Sequence, residues 1–153
     1  MIDVDIPGRG RLRLEHAVFD LNGTLSLDGV LLSEVPALAR ELSQHLRCLL
    51  LTADTFGTGD EVAKALGFEF RRVGDGEEKR RVVADLGANR VVAVGNGQND
   101  APMFEAAALS IAVLGPEGSS TAALQAADIA ARDIEVAMAM LLHPVRLVAT
   151  LRA

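Results

Sequence analysis

Val18-Phe19-Asp20-Leu21-Asn22-Gly23-Thr24-Leu25 is the stretch on which the fold turns. His16-Ala17-Val18-Phe19 is a short apolar run, and such a run suits a strand buried on both faces of a parallel sheet. It stops at Asp20. A carboxylate at a strand end suits a nucleophile or a hard-metal ligand. Asn22-Gly23 between apolar runs also reads as a tight turn. Taken alone, the stretch leaves both readings open.

Working upstream, Ile2, Val4, Ile6, Leu12 and Leu14 alternate around Pro7-Gly8-Arg9-Gly10, the pattern of a hairpin. Downstream, Asp28-Gly29 is a turn that makes residues 25–32 a small flap hairpin beside Asp20. Ser33 is placed to cap a helix with Pro36 in its first turn and Leu38, Leu42 and Leu46 as its stripe. Cys48 to Leu51 is a second buried strand, ending at Thr52-Ala53-Asp54. Thr58 with Glu61 reads as a capping box, and Gly67 closes that helix. A strand over 68–73 follows. Asp75 caps the next helix with Glu78, and Gly87 ends it. Val91 to Val94 is a third buried strand, running into Gly95-Asn96-Gly97-Gln98-Asn99-Asp100. Pro102 sits early in another helix. A strand over 109–114, a helix near 120–127, a short strand near Ile129 and a helix from Asp133 to Leu142 complete the pattern.

Strands alternating with helices from Val18 onward define an α/β fold with a doubly wound parallel sheet. In such sheets ligands sit at the carboxyl ends of the strands. Four polar clusters fall at those ends: 20–24, 52–54, 75–79 and 96–100. The expectation is a single domain over 1–153, with a hairpin arm at 1–16, the flap at 25–32 and no cap domain.

Composition narrows the function. The 153 residues are 50% hydrophobic and 3% aromatic, with no Trp or Tyr, so aliphatic side chains must build the core. The formal net charge of −6 argues against nucleic acid as a partner. No apolar run reaches the ~18 residues of a membrane span, and the start does not read as a signal peptide. One cysteine, Cys48, excludes an internal disulfide. These features together predict a cytoplasmic protein without membrane contact. Only two lysines are present, Lys64 and Lys79. Lys79 begins the stripe it shares with Val82, Val83 and Leu86. It is either a charge-neutralising group at the site end or a solvated first-turn lysine. Thr52 is either a phosphate-binding hydroxyl or a residue chosen for strand propensity. Asp100 is either a metal-site carboxylate or a helix cap.

Asp20 and Thr24, Thr52, Lys79 and Asn99-Asp100 occur in this order at successive strand ends. That order resembles the haloacid dehalogenase-like (HAD) superfamily of phosphohydrolases, over Val18 to about Leu142. Asn22-Gly23-Thr24, Leu51-Thr52-Ala53-Asp54 and Gly95 to Pro102 are more narrowly similar to the phosphorylation domain of P-type ATPases. The resemblance implies an aspartyl-phosphate on Asp20, a phosphate-binding Thr52 and a charge-neutralising Lys79. It also implies a supporting set of Gly23, Thr24, Ala53, Asp54 and Asn99. Mg²⁺ would be held by Asp20, Asn22, Asn96 and Asp100. Substrates would be a phosphorylated small molecule or a phosphoprotein. A capless site is open to water, and proteins with one commonly use a large substrate or a neighbouring subunit as lid; a homo-oligomer is one option, and the apolar arm is either a contact for it or an ordinary edge hairpin.

Two residues depart from the superfamily pattern. Asn22 stands where phosphatases place a general acid/base Asp, and an amide cannot shuttle a proton, a role worth about 10²–10⁴-fold. Asn96 stands where a first Asp binds Mg²⁺, and an amide oxygen ligates without adding charge. The expected function is therefore a slow Mg²⁺-dependent phosphohydrolase. The alternative is a HAD-fold binding or regulatory module with weakened or absent catalysis.

Overall fold

The computed structural model describes residues 1–153. The chain opens with β1 (Ile2–Ile6) and β2 (Gly10–Leu14), an antiparallel pair that forms its own two-stranded sheet. Strand β3 (His16–Asp20) then enters the main sheet, and the flap follows as β4 (Ser26–Leu27) paired antiparallel with β5 (Val30–Leu31). Helix α1 (Val35–Leu42), β6 (Arg47–Thr52), α2 (Gly59–Leu66) and β7 (Glu69–Arg72) come next. After them run α3 (Gly76–Leu86), β8 (Val91–Gly95), α4 (Ala101–Ala106) and β9 (Leu109–Val113). The chain finishes with α5 (Thr121–Ala126), β10 (Ile129–Ala131), α6 (Ile134–Leu142) and α7 (Val145–Leu151).

The main sheet has six strands in the order β10-β9-β8-β3-β6-β7, and every pairing in it is parallel. Strand β3 is central because the chain winds first to one side, through β6 and β7. It then crosses back through α3 to β8, β9 and β10. The crevice where the winding reverses therefore opens beside the carboxyl end of β3. Alternation along the strands sends Ala17, Phe19 and Leu50 to one face, where α1, α2, α6 and α7 cover them. Val18, Leu49 and Leu51 face α3, α4 and α5 on the other side. The scarce aromatics meet inside the first layer, where the Phe19 and Phe68 rings stack at 5.3 Å. No single helix is long and apolar enough to cross a membrane.

The expected doubly wound α/β sheet is present, as are the amino-terminal hairpin and the 25–32 flap. No cap-sized segment separates β3 from β6 or β6 from β7. Helix starts differ from expectation. Ser33 does not cap α1; Glu34 takes the cap position, and the Ser33 hydroxyl lies 3.3 Å from the Glu34 carboxylate. That helix stops at Leu42 and buries Val35, Ala39 and Leu42, while Leu46 reaches the core from the turn beyond. The Thr58–Glu61 capping box does not form either, since the Thr58 side chain makes no cap bond; the first amide of α2, Gly59 N–H, donates to Asp54 Oδ1 at 2.7 Å. Asp75 does cap α3, accepting from Glu78 N at 2.9 Å. Helix α7 carries no signal in the sequence reading; it docks through Leu147 once the chain turns at Pro144.

The hairpin arm is fastened to its own chain. Ile2, Ile6 and Leu14 are buried. Arg9 donates to Asp128 Oδ1 at 3.1 Å and to the Ala108 carbonyl at 3.0 Å, and Ala153 N donates to the Pro7 carbonyl at 3.0 Å. The side chains expected to contact a neighbouring subunit thus face inward.

Candidate active site

The carboxyl ends of β3, β6 and β8 and the first turns of α3 bring four of the sequence clusters to one rim. Asp20 ends β3 and is buried. Lys79 projects from α3 and is only 2% exposed. Its ammonium donates to Asp20 Oδ1 at 2.9 Å and to Asp100 Oδ1 at 2.7 Å. One buried cation therefore serves two carboxylates, which leaves one negative charge in excess. Lys79 is not a solvated first-turn residue.

The electrostatics follow first from burial and then from that imbalance. Burial pushes the Asp20 pKa up to about 6, helped by the Asp100 charge and opposed by Lys79. For Lys79, burial is the largest influence and pulls its pKa down. The two carboxylates and the hydrogen bonds to them outweigh it, so the net shift is upward. The lysine stays charged.

Asp100 does not cap α4. Its Oδ2 reaches back to accept the N–H groups of Asn96 and Gly97, both at 2.9 Å, so the loop folds around its own last carboxylate. Gly95 is required here, since a Cβ would collide with Asp100 Oδ2. Asn96 is held at both ends of its amide. Its Oδ1 lies 3.2 Å from Thr24 Oγ1, and its Nδ2 donates to the Gly118 carbonyl at 3.0 Å. Gly23 has φ +78° and lies under the same amide, where no Cβ fits. Thr24 Oγ1 also lies 3.5 Å from Asp20 Oδ2; its one proton serves one acceptor at a time.

Thr52 ends β6, buried, and its Oγ1 accepts the Asp54 N–H at 3.0 Å. Asn22 has a buried side-chain oxygen with no hydrogen-bond partner. The structure does not draw in Asn99 or Ala53: both are exposed, and the Asn99 side chain makes no hydrogen bond to the others. Missing from the sequence reading is the 115–120 loop. The Ser119 hydroxyl and Ser120 N–H both donate to the Asn96 carbonyl, at 3.1 and 2.8 Å. Gly115-Pro116 marks a turn there, but nothing local says what it closes upon.

The oxygens suit a hard cation. No cluster of three His, Cys, Asp or Glu side chains forms a ready-made metal site. Asp20 Oδ2 is nevertheless not bound to Lys79, and the orphaned Asn22 oxygen is an acceptor in want of a partner. Mg²⁺ typically takes one or two carboxylates and fills its shell with water and phosphate. Asp100 has both oxygens engaged, so the donor set fits Mg²⁺ with Asp20 as its main protein anion.

No family model matches the sequence. The chain is 40% identical over 63 residues to the uncharacterized protein MJ0073 of Methanocaldococcus jannaschii, covering 41% of this chain and 68% of that one. It is 34% identical over 114 residues to the zinc/cadmium/lead-transporting P-type ATPase of Escherichia coli, covering 72% of this chain but only 15% of the transporter. A putative HAD family hydrolase from Streptomyces avermitilis superposes with TM-score 0.66 at 20% identity, covering 87% of each chain. The 3-deoxy-D-manno-octulosonate 8-phosphate phosphatase of Moraxella catarrhalis superposes with TM-score 0.71 at 16% identity, covering 85% of this chain and 86% of that one. The chain has the fold of the HAD hydrolases. By sequence it belongs to one family with the archaeal protein, and it is similar to a stretch of the P-type ATPase that makes up 15% of that transporter. The rim built by β3, β6 and β8 lies at the carboxyl ends of a sheet that shares its fold with these hydrolases.

Proposed function

We propose that this HAD-like domain is a phosphohydrolase or phosphoryl-transfer enzyme that works through an aspartyl-phosphate on Asp20 and turns over slowly. The buried Asp20–Lys79–Asp100 triad at the central strand end carries this reading. The Asp20 carboxylate attacks phosphorus and the phosphorus–oxygen ester bond breaks. The leaving oxygen takes its proton from solvent. Water then attacks the acyl phosphate, the bond to Asp20 breaks, and inorganic phosphate departs. Lys79 keeps the nucleophile and the incoming phosphate from repelling each other. Thr52 offers its hydroxyl to a phosphate oxygen. Asn22 supplies no proton relay, which slows both leaving-group departure and the water step. Mg²⁺ held by Asp20, Asn22 and Asn96, with Asp100 behind them, would neutralise charge between the two anions.

The substrate is a phosphorylated small molecule or a phosphoprotein, since an open rim without a cap admits either. A second copy of the chain serving as lid is compatible with that openness. The test is to incubate the protein with acetyl phosphate or an aryl phosphate, with and without Mg²⁺. A metal-dependent, hydroxylamine-sensitive phosphoryl label absent from Asp20→Asn is the expected result. Full phosphatase activity in that variant would overturn the reading.

One observation favours a second reading, a binding or regulatory module. The Asn96 amide is satisfied at both ends by Thr24 and Gly118, as a structural group would be. Phosphate binding without turnover above the Asp20→Asn control would select it.

A further inference from the structure

Thr52 is 2% exposed, and no group of the chain accepts its hydroxyl proton. A hydroxyl has one proton to give and two lone pairs to receive. The Asp54 N–H occupies a lone pair at 3.0 Å, which leaves the proton for an incoming acceptor. That backbone N–H comes from an unusual conformation. Asp54 has φ +59°, one of two non-glycine residues in the chain with positive φ. Left-handed backbone is disfavoured for ordinary L residues, and Asp and Asn are the polar residues that tolerate it.

The conformation is held from two further sides. Asp54 Oδ1 accepts the N–H of Gly59, the first residue of α2, at 2.7 Å, while Thr58 makes no side-chain cap bond. The Asp54 carbonyl accepts the Gly57 N–H at 2.9 Å. Side chain, carbonyl and amide thus each have a separate duty, and only the amide faces Thr52.

We infer that Asp54 is a positioning residue: by anchoring a left-handed turn between β6 and α2, it holds its N–H on Thr52 Oγ1 and keeps that hydroxyl a donor to phosphate. This rests on the reading of Thr52 as the phosphate-binding hydroxyl. A residue that merely capped α2 would affect stability without affecting what Thr52 does. Asn at this position keeps the αL tolerance and an oxygen for Gly59, whereas Ala keeps neither.

The experiment titrates the full chain with inorganic phosphate and Mg²⁺ in four variants: Thr52→Val, Asp54→Ala, Asp54→Asn and the Thr52→Val/Asp54→Ala double. Thr52→Val and Asp54→Ala are each expected to weaken phosphate binding about ten-fold, the scale of one hydrogen bond to a charged group. The double variant should be no weaker than Thr52→Val alone, because both changes remove the same interaction. Asp54→Asn should bind within about two-fold of wild type. Losses that multiply in the double variant overturn the inference, as does an Asp54→Ala protein that binds like wild type while Thr52→Val does not. A wild-type chain that takes up no phosphate overturns the phosphatase reading, and this one with it. Should Asp54→Ala not fold, amide exchange in Thr52→Val decides. The Asp54 N–H is expected to lose protection there, and unchanged protection overturns the proposal.

Discussion

The two ends of the main sheet use the same charged chemistry to opposite effect. At the amino end, Arg47 pairs with Glu69 at 2.8 Å and Arg90 with Glu15 at 3.0 Å, and the Arg47 and Glu69 side chains are 50% and 47% exposed. Each cation there has its own anion and stays open to solvent. At the carboxyl end, Lys79 is 2% exposed and shared between Asp20 and Asp100. Exposed pairs are screened and stabilise little. Burial, and after it the neighbouring Asp100 charge, raises the Asp20 pKa in this set, where one cation faces two carboxylates. The lesson is that ion-pair geometry alone does not mark a site; burial with an unbalanced count does.

Removing the nucleophile breaks the carboxyl end most sharply. Asp20→Asn should abolish the phosphoryl label. It should also stabilise the fold in the absence of metal. Burial raises the Asp20 pKa from 3.8 to about 6, so the folded chain binds more protons than the unfolded chain between those values. Stability therefore falls as pH rises through that window, and the cost is fully present above it. A shift of that size corresponds to roughly 3 kcal/mol. Thermal melts should show Asp20→Asn above wild type at pH 7, with the gap closing toward pH 4. A gap that is constant with pH would mean that Asp20 is not electrostatically strained.

Lys79→Met removes the cation and leaves two carboxylates facing each other. A loss of about 3–5 kcal/mol at pH 7 is expected, the scale for breaking a buried pair. Denaturant midpoints should recover as the pH is lowered and the carboxylates take protons. A midpoint that does not respond to pH would contradict the shared-cation picture.

Asn96→Asp sharpens the comparison by adding charge without adding bulk. The carboxylate cannot donate to the Gly118 carbonyl, so about 1–3 kcal/mol of stability should be lost. In return, Mg²⁺ affinity should rise, read by calorimetry. Equal stability in the variant would show that the Gly118 contact is dispensable. The smallest effect belongs to the amino end: Arg47→Ala should leave the melting temperature unchanged within error at physiological salt, and a large drop would erase the contrast between the two ends.

Much of the carboxyl end is legible in the sequence. Buried strands read as uninterrupted apolar runs, so Asp20, Thr52 and the 95–100 loop could be placed at strand ends from spacing. Asn22 and Asn96 stood out only against the superfamily pattern the sequence resembles, which has carboxylates at both places. The helix starts were less legible. Ser33 and Thr58 satisfy the local rule for caps, yet Glu34 takes the cap position of α1 and Asp54 bonds to the first amide of α2. Lys79 was ambiguous, because a lysine on an apolar stripe becomes a buried cation only when two carboxylates from distant segments meet it. The short helix α7 escaped notice because its seven residues are held by packing on the core rather than by their own propensity.

By itself the sequence determined the element order as far as α6, the parallel sheet and the rim where polar clusters gather. Those follow from hydrophobic period and from glycine, proline and carboxylate placement, which act over a few residues. Only the tertiary structure decided that one ammonium serves two carboxylates, that the hairpin arm closes on its own chain, and that Asn96 clasps the 115–120 loop. Each of these joins residues from separate elements, and burial sets its strength. Local sequence does not report the dielectric a side chain will meet.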